Sequence, residues 1–292
     1  MLENKIITFV TVAHLKSYTK AAAQLYISQP AVSQQIKALE DELEVKLFTY
    51  QNRNLTLTSA GQKLLSFAES IQSQTKKLNT LLKDPQAKNR LSFAATLSIS
   101  DAWMPKIITN IVQNKPHVNI DCHVLNTKQC LTQLRNGHVD FALVEGNFNK
   151  QEFCSQELIS DDFIAVCSPN LGLVATQQYQ LKDLLAYPII FREYGSGSYD
   201  IFHSIIQAHN ISANDFKAQY QIGSPTTIKK LLLSNLGISF LYRSVVQKML
   251  ANQQLIEIQL SDLKIKHPIY LVYLKNNYYE QTYLDLITSA LK

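Results

Sequence analysis

Apolar positions in the first fifty residues recur at helical spacing. Leu2, Ile6, Phe9, Val10 and Ala13 predict a helix over about 3–14. Ser17 or Thr19 can cap a second helix running through Leu25, because a short hydroxyl side chain satisfies backbone N–H groups that a first helical turn leaves open. After the turn Tyr26-Ile27, Ser28 is a further cap candidate, and Pro30 falls in the first turn, where its missing N–H is harmless. This third helix extends to about Leu43, with Val32, Ile36, Leu39 and Leu43 as its buried face. Two short β-type runs, Lys46-Leu47-Phe48 and Leu55-Thr56-Leu57-Thr58, flank the turn Gln51-Asn52-Arg53-Asn54 and predict a hairpin. Three helices and a hairpin make a winged helix-turn-helix, assigned to residues 1–58.

A long helix follows, capped by Ser59 and ending before Pro85, so residues 59–89 form a linker. Within it Leu64, Ala68, Ile71, Thr75, Leu78 and Leu82 step by four, three, four, three and four, a heptad seam. The seam is narrow and the other faces carry Gln, Ser and Lys, which favours a dimerisation helix over one packed on its own chain. From residue 90 the rhythm changes to strand–helix alternation. Strands are predicted at Leu91–Leu97, Val118–Leu125, Phe141–Val144, Phe163–Cys167, Ile189–Phe191, Ile238–Leu241 and Ile269–Leu274. Helices are predicted at Ala102–Asn114, Lys128–Arg135, near Ile201–His209, at Ile228–Ser234 and from about Tyr279. Such alternation implies an α/β fold with mainly parallel sheets.

The length of 292 residues suits about two domains of ~150 residues each. No apolar stretch reaches the ~18 residues of a membrane span, and the first residues lack the basic and apolar regions of a signal peptide. A cytoplasmic protein with no membrane partner is expected. The net charge of +5 is unevenly placed. Residues 1–90 hold 12 Lys and Arg against 7 Asp and Glu, whereas residues 91–292 hold 16 of each. A basic first third on a neutral body points to a polyanion partner for that unit. Cys122, Cys130, Cys154 and Cys167 form no CxxC pair and no zinc-type spacing with histidine. They read as free, partly buried thiols, with Cys122 and Cys130 as the candidate pair for a redox switch.

On the third helix, Gln29, Ser33, Gln34 and Lys37 are left facing outward near its start, beside Pro30 and Ala31. In a helix-turn-helix that end enters the major groove. Gln pairs with adenine, Ser bonds to most base edges, and Lys suits guanine or phosphate. The small Ala31 and Pro30 permit close approach, and the acidic Glu40-Asp41-Glu42 lies at the far end. Residues 28–37 are thus the expected recognition helix.

The run Phe9-Val10, Ser17-Tyr18-Thr19-Lys20-Ala21-Ala22, Leu25, Ser28-Gln29-Pro30-Ala31-Val32-Ser33-Gln34-Gln35-Ile36, Leu39-Glu40 and Leu43 closely resembles the winged helix of LysR-type transcriptional regulators. Leu47-Phe48, Arg53, Leu57-Thr58 and Ala60-Gly61 continue the likeness. The resemblance implies that Thr19, Gln29, Pro30, Ser33, Gln34 and Lys37 approach DNA and that Arg53 in the wing reaches the backbone or minor groove. Two positions depart from the pattern: Tyr50 stands where arginine is usual, and Glu44 where glycine usually ends the third helix. The resemblance also implies a periplasmic-binding-protein-like effector domain over 90–292. Its subdomains are 90–161 with 266–292, and 162–265, with a pocket between them.

Pockets in such folds lie at strand C-terminal ends, where helix N-termini favour anions. Small polar residues cluster in those loops: Ser98 and Ser100, Thr127, Gly195-Ser196-Gly197-Ser198, and Ser224-Pro225-Thr226-Thr227. The resemblance places positions matching Ser98, Ser100, Thr127, Ser198 and Thr226 at the effector site, and Gly197 and Pro225 belong to the same loops. Arg192 or Arg243 could pair with a ligand carboxylate. No activated nucleophile accompanies His138 and Asp140, and Gly197 stands where the serine of a nucleophile elbow would be. The expectation is therefore a regulator and no enzyme, with no cofactor and no metal. Its expected partners are promoter DNA, a small anionic co-inducer, and a second copy or more of itself; RNA polymerase is a further candidate partner.

Overall fold

The computed structural model describes the chain except residues 1, 2, 52, 53, 84–89, 151, 276, 278 and 292, and the side chains of 51, 77, 80 and 81. Its contacts divide it into two compact units: Met1–Lys88 with Arg135–His138 and Leu274–Tyr278, and Asn89–Leu134 with Val139–Tyr273 and Tyr279–Lys292.

The first unit opens with α1 (Asn4–Leu15), α2 (Tyr18–Leu25) and α3 (Gln29–Leu43). Ser17 Oγ accepts from Lys20 N and Ser28 Oγ from Ala31 N, so the expected hydroxyl caps start α2 and α3. The hairpin pairs β1 (Phe48–Gln51) with β2 (Asn54–Leu57), Phe48 opposite Leu57. Phe9, Val12, Val32, Ile36, Leu39, Leu47 and Leu55 are buried together. Burial of each such side chain contributes about 1.5–3 kcal/mol, which holds three short helices that would be marginal alone. Leu43, assigned to the buried face, is instead 43% exposed. The helix ends there: Glu44 turns into the left-handed region at φ 54° and carries the chain off the core.

α4 (Ser59–Lys83) is the long linker helix. Thr58, rather than Ser59, caps it, accepting from Gly61 N at 3.0 Å. The seam divides along its length. Ala68 is buried in the winged-helix core and Leu64 packs against it, whereas Leu78 and Leu82 are 51% and 73% exposed. Glu69 is buried and meets His14 Nε2 at 2.6 Å, tying α4 to α1.

The second unit comprises β3 (Arg90–Thr96), α5 (Leu97–Ala102), α6 (Met104–Asn114), β4 (Asn119–Leu125), α7 (Thr127–Arg135), β5 (Phe141–Glu145), β6 (Phe153–Cys167), β7 (Gln178–Tyr179), β8 (Pro188–Phe191), α8 (Gly197–Ala208), β9 (Ala218–Gln221), α9 (Pro225–Leu233), β10 (Ile238–Tyr242), α10 (Arg243–Ala251), β11 (Ile256–Leu260), β12 (Ile265–Leu274) and α11 (Glu280–Leu291). The strands lie in the order β4-β3-β5-β12-β6-β10-β8-β9, with β11 also on β6. Two cores form. One gathers Phe93, Ile107, Phe141, Leu271 and Ile287. The other gathers Val166, Ile189, Phe202, Ile228, Phe240 and Val246. β6 serves both, with Cys154 and Leu158 against the first core and Phe163–Cys167 inside the second.

The architecture is the expected one, a winged helix, a long helix and a two-lobed α/β body. Several elements differ from expectation. The sheet is mixed: β3 runs parallel to β4 and β5, and β8 to β9 and β10, but β12 is antiparallel to β5 and β6 is antiparallel to β10 and β11. The helix expected over Ala102–Asn114 begins two residues later, as α6, and a short helix that was not expected, α5, precedes it; the two are separated at Trp103 ahead of Met104-Pro105, because proline cannot continue a preceding helix. The strand expected at Phe163–Cys167 is the last third of β6. α10 and β11 were not foreseen.

Candidate nucleic-acid interface and effector cleft

α3 buries Val32, Ile36 and Leu39 against α1 and α2, which leaves the opposite side of its first turns to solvent. Gln29, Pro30, Gln34 and Lys37 are exposed there, with Ala31 and Ser33 half-buried beside them. Gln29 Nε2 donates to Ser33 Oγ at 3.0 Å, which orients the amide. A groove between this helix and the hairpin is lined by Thr19, Gln29, Ser33 and Lys37, joined by Lys16, Ser17, Lys46 and Tyr50. The structure thus brings four of the expected DNA-facing residues to one groove. Pro30, Ala31 and Gln34 stand on the same helix outside it, and Arg53 lies outside the described residues. Tyr50, at the position where arginine is usual, is 68% exposed on β1.

In the sequence Glu40 reads only as one of the acidic residues at the far end of α3. It is instead 8% exposed, and its carboxylate accepts from Leu47 N at 2.8 Å, Phe48 N at 3.3 Å and Lys46 Nζ at 2.6 Å. Burial alone would raise its pKa, but the Lys46 ammonium and the two backbone N–H groups outweigh it and hold the carboxyl below the usual range. Glu40 therefore fastens the hairpin to the recognition helix.

In the second unit the end of β5 and the segments that follow β3, β4 and β8 meet where the two lobes join. Thr127, first residue of α7, donates from Oγ1 to the Glu145 carbonyl at 3.1 Å and accepts from Gly197 N at 3.0 Å. This joins lobe one to the start of α8 in lobe two. The approach is so close that a Cβ on Gly197 would sit 2.3 Å from the Glu145 carbonyl oxygen, so only glycine fits. Ser98 Oγ lies 3.4 Å from Ser198 Oγ, and Arg192 Nη1 reaches Ser98 Oγ at 3.5 Å. Arg192 is 2% exposed and pairs at two points with Glu193, at 2.8 and 3.1 Å.

Of the expected effector residues, Ser98, Thr127, Gly197 and Ser198 converge in one buried cluster. Ser100 is half-buried on α5, Pro225 is buried and Thr226 exposed at the start of α9, and no hydrogen bond joins these three to the cluster among the described residues. α9 does pack on α5, where Lys229 pairs with Asp101. Arg243 is turned to other work: it pairs with Glu257 at 2.7 Å and Asp162 at 3.3 Å. Arg192 is buried beside Ser98, with its guanidinium paired to Glu193. Sequence reasoning missed Glu145, 1% exposed at the end of β5, whose Oε2 accepts from Thr96 Oγ1. The only signal for it was a carboxyl closing an otherwise apolar run.

The four cysteines are free. Burial pushes the Cys122 thiol up to about 11 and the Cys167 thiol up to about 12, and raises Cys130 further still. These thiols are protonated at neutral pH, the opposite of a reactive pair. No group of three or more metal-ligating side chains occurs among the described residues, and no helix among them is long and apolar enough to cross a membrane.

A winged helix with an exposed polar recognition face, followed by a two-lobed α/β body with a buried polar cluster where its lobes meet, defines a DNA-binding regulator with an effector-binding domain. Residues 4–62 match the bacterial regulatory helix-turn-helix proteins of the lysR family, and residues 85–291 match the LysR substrate binding domain. The chain belongs to the LysR family of transcriptional regulators. It is similar to the HTH-type transcriptional regulator CysL of Bacillus subtilis, 26% identical over 265 residues, 90% of this chain and 87% of CysL. It is also similar to the hydrogen-peroxide-bound structure of an OxyR mutant of Corynebacterium glutamicum, with TM-score 0.61, 25% identity and coverage of 98% and 91%. The regulatory domain of Synechocystis PCC6803 CcmR in complex with 2-PG shares the fold, with TM-score 0.62 and 20% identity, covering 70% of this chain and 97% of CcmR. The relatives are transcriptional regulators rather than enzymes.

Proposed function

We propose that this chain is a cytoplasmic, sequence-specific regulator that reads promoter DNA as a homo-oligomer and is switched by a small anionic metabolite. Residues 1–58 bind DNA, with Thr19, Gln29, Pro30, Ala31, Ser33, Gln34, Lys37 and Arg53 at the interface. Residues 59–89 link and pair the subunits. The effector lies between subdomains 90–161 with 266–292 and 162–265, against Ser98, Ser100, Thr127, Gly197, Ser198, Pro225 and Thr226. The observation that carries this reading is the buried cluster of Ser98, Thr127, Gly197, Ser198 and Arg192, where the two lobes meet at helix starts. A guanidinium and hydroxyls at helix N-termini favour a negative group. The 2-PG seen on the CcmR regulatory domain supports a small ligand in this fold. A ligand that binds one lobe arrangement better than another shifts the population of DNA-binding forms by that difference.

The test is footprinting of the purified protein on the DNA upstream of its own gene. Protection of a dyad-symmetric site is expected. An absence of protection at every promoter tried would refute the proposal.

A further inference from the structure

The cleft holds a second polar feature that an anion alone does not explain. Glu145 ends β5 in lobe one and Tyr242 ends β10 in lobe two. Glu145 is 1% exposed and Tyr242 is 2% exposed. Neither Glu145 Oε1 nor the Tyr242 hydroxyl has a hydrogen-bond partner among the described residues. Buried polar groups in native proteins are nearly always partnered, and an orphan in a cleft marks a place where a ligand completes the bonding. The two groups flank the same cluster: the Glu145 carbonyl accepts from Thr127 Oγ1 at 3.1 Å, and Tyr242 ends β10 beside β8, whose last residue Phe191 leads into Arg192.

Resting on the effector reading above, we infer that the effector carries a hydrogen-bond donor, a hydroxyl or an ammonium, beside its anionic group, and that Glu145 and Tyr242 receive it. The chemistry of the open atoms fixes the sign. Glu145 already accepts from Thr96 at Oε2, so Oε1 presents a further acceptor. A second anion placed there would face a carboxyl oxygen. A hydroxyl donates to Oε1 and accepts from the Tyr242 O–H; an ammonium donates to both oxygens. The anionic group has its own seat. Among the described residues Arg192 Nη1 has only the Ser98 bond at 3.5 Å, the limit of a hydrogen bond, and the Ser98 and Ser198 hydroxyls are 3.4 Å apart. An oxyanion meeting these three groups exchanges weak contacts for strong ones. The class of ligand is therefore a small hydroxy acid or amino acid. Because Glu145 and Tyr242 come from different lobes, the donor group ties the lobes together where the anion alone would hold to Arg192 and the serines.

Matched acids test this on the full chain. Thermal unfolding is followed with succinate, malate and aspartate, and with propionate, lactate and alanine, each at the same concentration and pH. The donor-bearing members are expected to bind at least about tenfold tighter than the unsubstituted acid of the same series. Tyr242→Phe should reduce that preference for both donor types. Glu145→Gln separates the sources: it abolishes a preference for the amino member, whose charge it no longer balances, and weakens the hydroxy member less. If the unsubstituted acids bind equally well, the donor subsite is wrong and the anion reading survives. If no acid shifts the midpoint, both fall. The comparison within the unsubstituted protein stands even where a variant fails to fold.

Discussion

Two buried carboxyls, Glu40 and Glu145, show how partners decide the fate of the same chemical group. Glu40 has a lysine and two backbone donors, so its pKa is depressed. Burial of Glu145 outweighs its hydroxyl donors and the Arg192 guanidinium, so its pKa is raised. The consequences for stability have opposite signs. Glu40 contributes stability that is present above its unfolded value near 4.5 and is lost as the pH falls through the lower folded value. Glu40→Ala removes an acceptor from two backbone N–H groups and Lys46 and should destabilise the winged helix by about 2 kcal/mol at neutral pH; thermal melts of the variant check it, and a midpoint equal to that of the parent would refute it. Glu145 does the reverse: the folded form is protonated more readily, so its stability contribution is intact below pH 4.5 and declines as the pH rises toward the folded value. The charged or titratable groups facing it are Arg192, Tyr242 and Cys130. The prediction is that the midpoint of Glu145→Gln, compared with the parent, gains as the pH rises above 4.5 toward the raised folded value. A difference that is flat with pH would show that Glu145 carries no such linkage.

At the scale of elements, the start of α8 is a tight joint between the lobes of the second unit. Gly197 and Gly146 pack backbone on backbone, a Cβ on Gly146 falling 2.4 Å from the Gly197 Cα. Gly197→Ala has no side chain to push aside, only the Glu145 carbonyl, so the lobes must part. A loss of a few kcal/mol is expected, in the range of severe overpacking, together with weaker binding of any effector; unchanged unfolding in urea would contradict it. The same joint shows what was legible beforehand. The starts of α2 and α3 could be read because Ser17 and Ser28 act within a few residues of themselves, whereas α8 and α9, capped by Ser196 and Ser224, begin at Gly197 and Pro225, ahead of the expected Ile201 and Ile228. The loops carrying Ser98, Thr127, Gly197 and Ser198 could be placed because they follow strands. Length and partnering could not. Residues Phe153–Ser160 of β6 include Ser155, Gln156 and Glu157 and look like a surface turn, and they are a strand only because the sheet of lobe one receives them. Glu40 reads as one of three acidic residues, and its anchoring role depends on Leu47 and Phe48 arriving from the hairpin. Glu145 and Tyr242 are nearly a hundred residues apart in the chain, and nothing local links them.

For the whole molecule, charge and apolar exposure are distributed unevenly. The excess of basic residues lies in the first third of the chain, while the rest is balanced. Salt dependence of DNA binding should therefore reside in that third, and Lys37→Gln should lower the slope of log K against log salt by about 1 if its ammonium meets a phosphate. The apolar seam of α4 is buried where Ala68 joins the winged-helix core and bare where Leu78 and Leu82 stand in solvent. Two leucines one turn apart, exposed on a polar helix, make a narrow stripe suited to a second copy of the same helix. Leu78→Glu combined with Leu82→Glu places like charges on that stripe without touching the buried half of the seam. The variant should keep its fold and sediment as a smaller species than the parent. Its affinity for a dyad-symmetric site should fall by about a hundredfold or more, because two linked readers bind the second half-site at high effective concentration and a single reader does not. Affinity for an isolated half-site should hardly change. A variant that keeps the parent's sedimentation and full-site affinity would mean that this stripe does not pair the subunits, whatever the recognition helix reads.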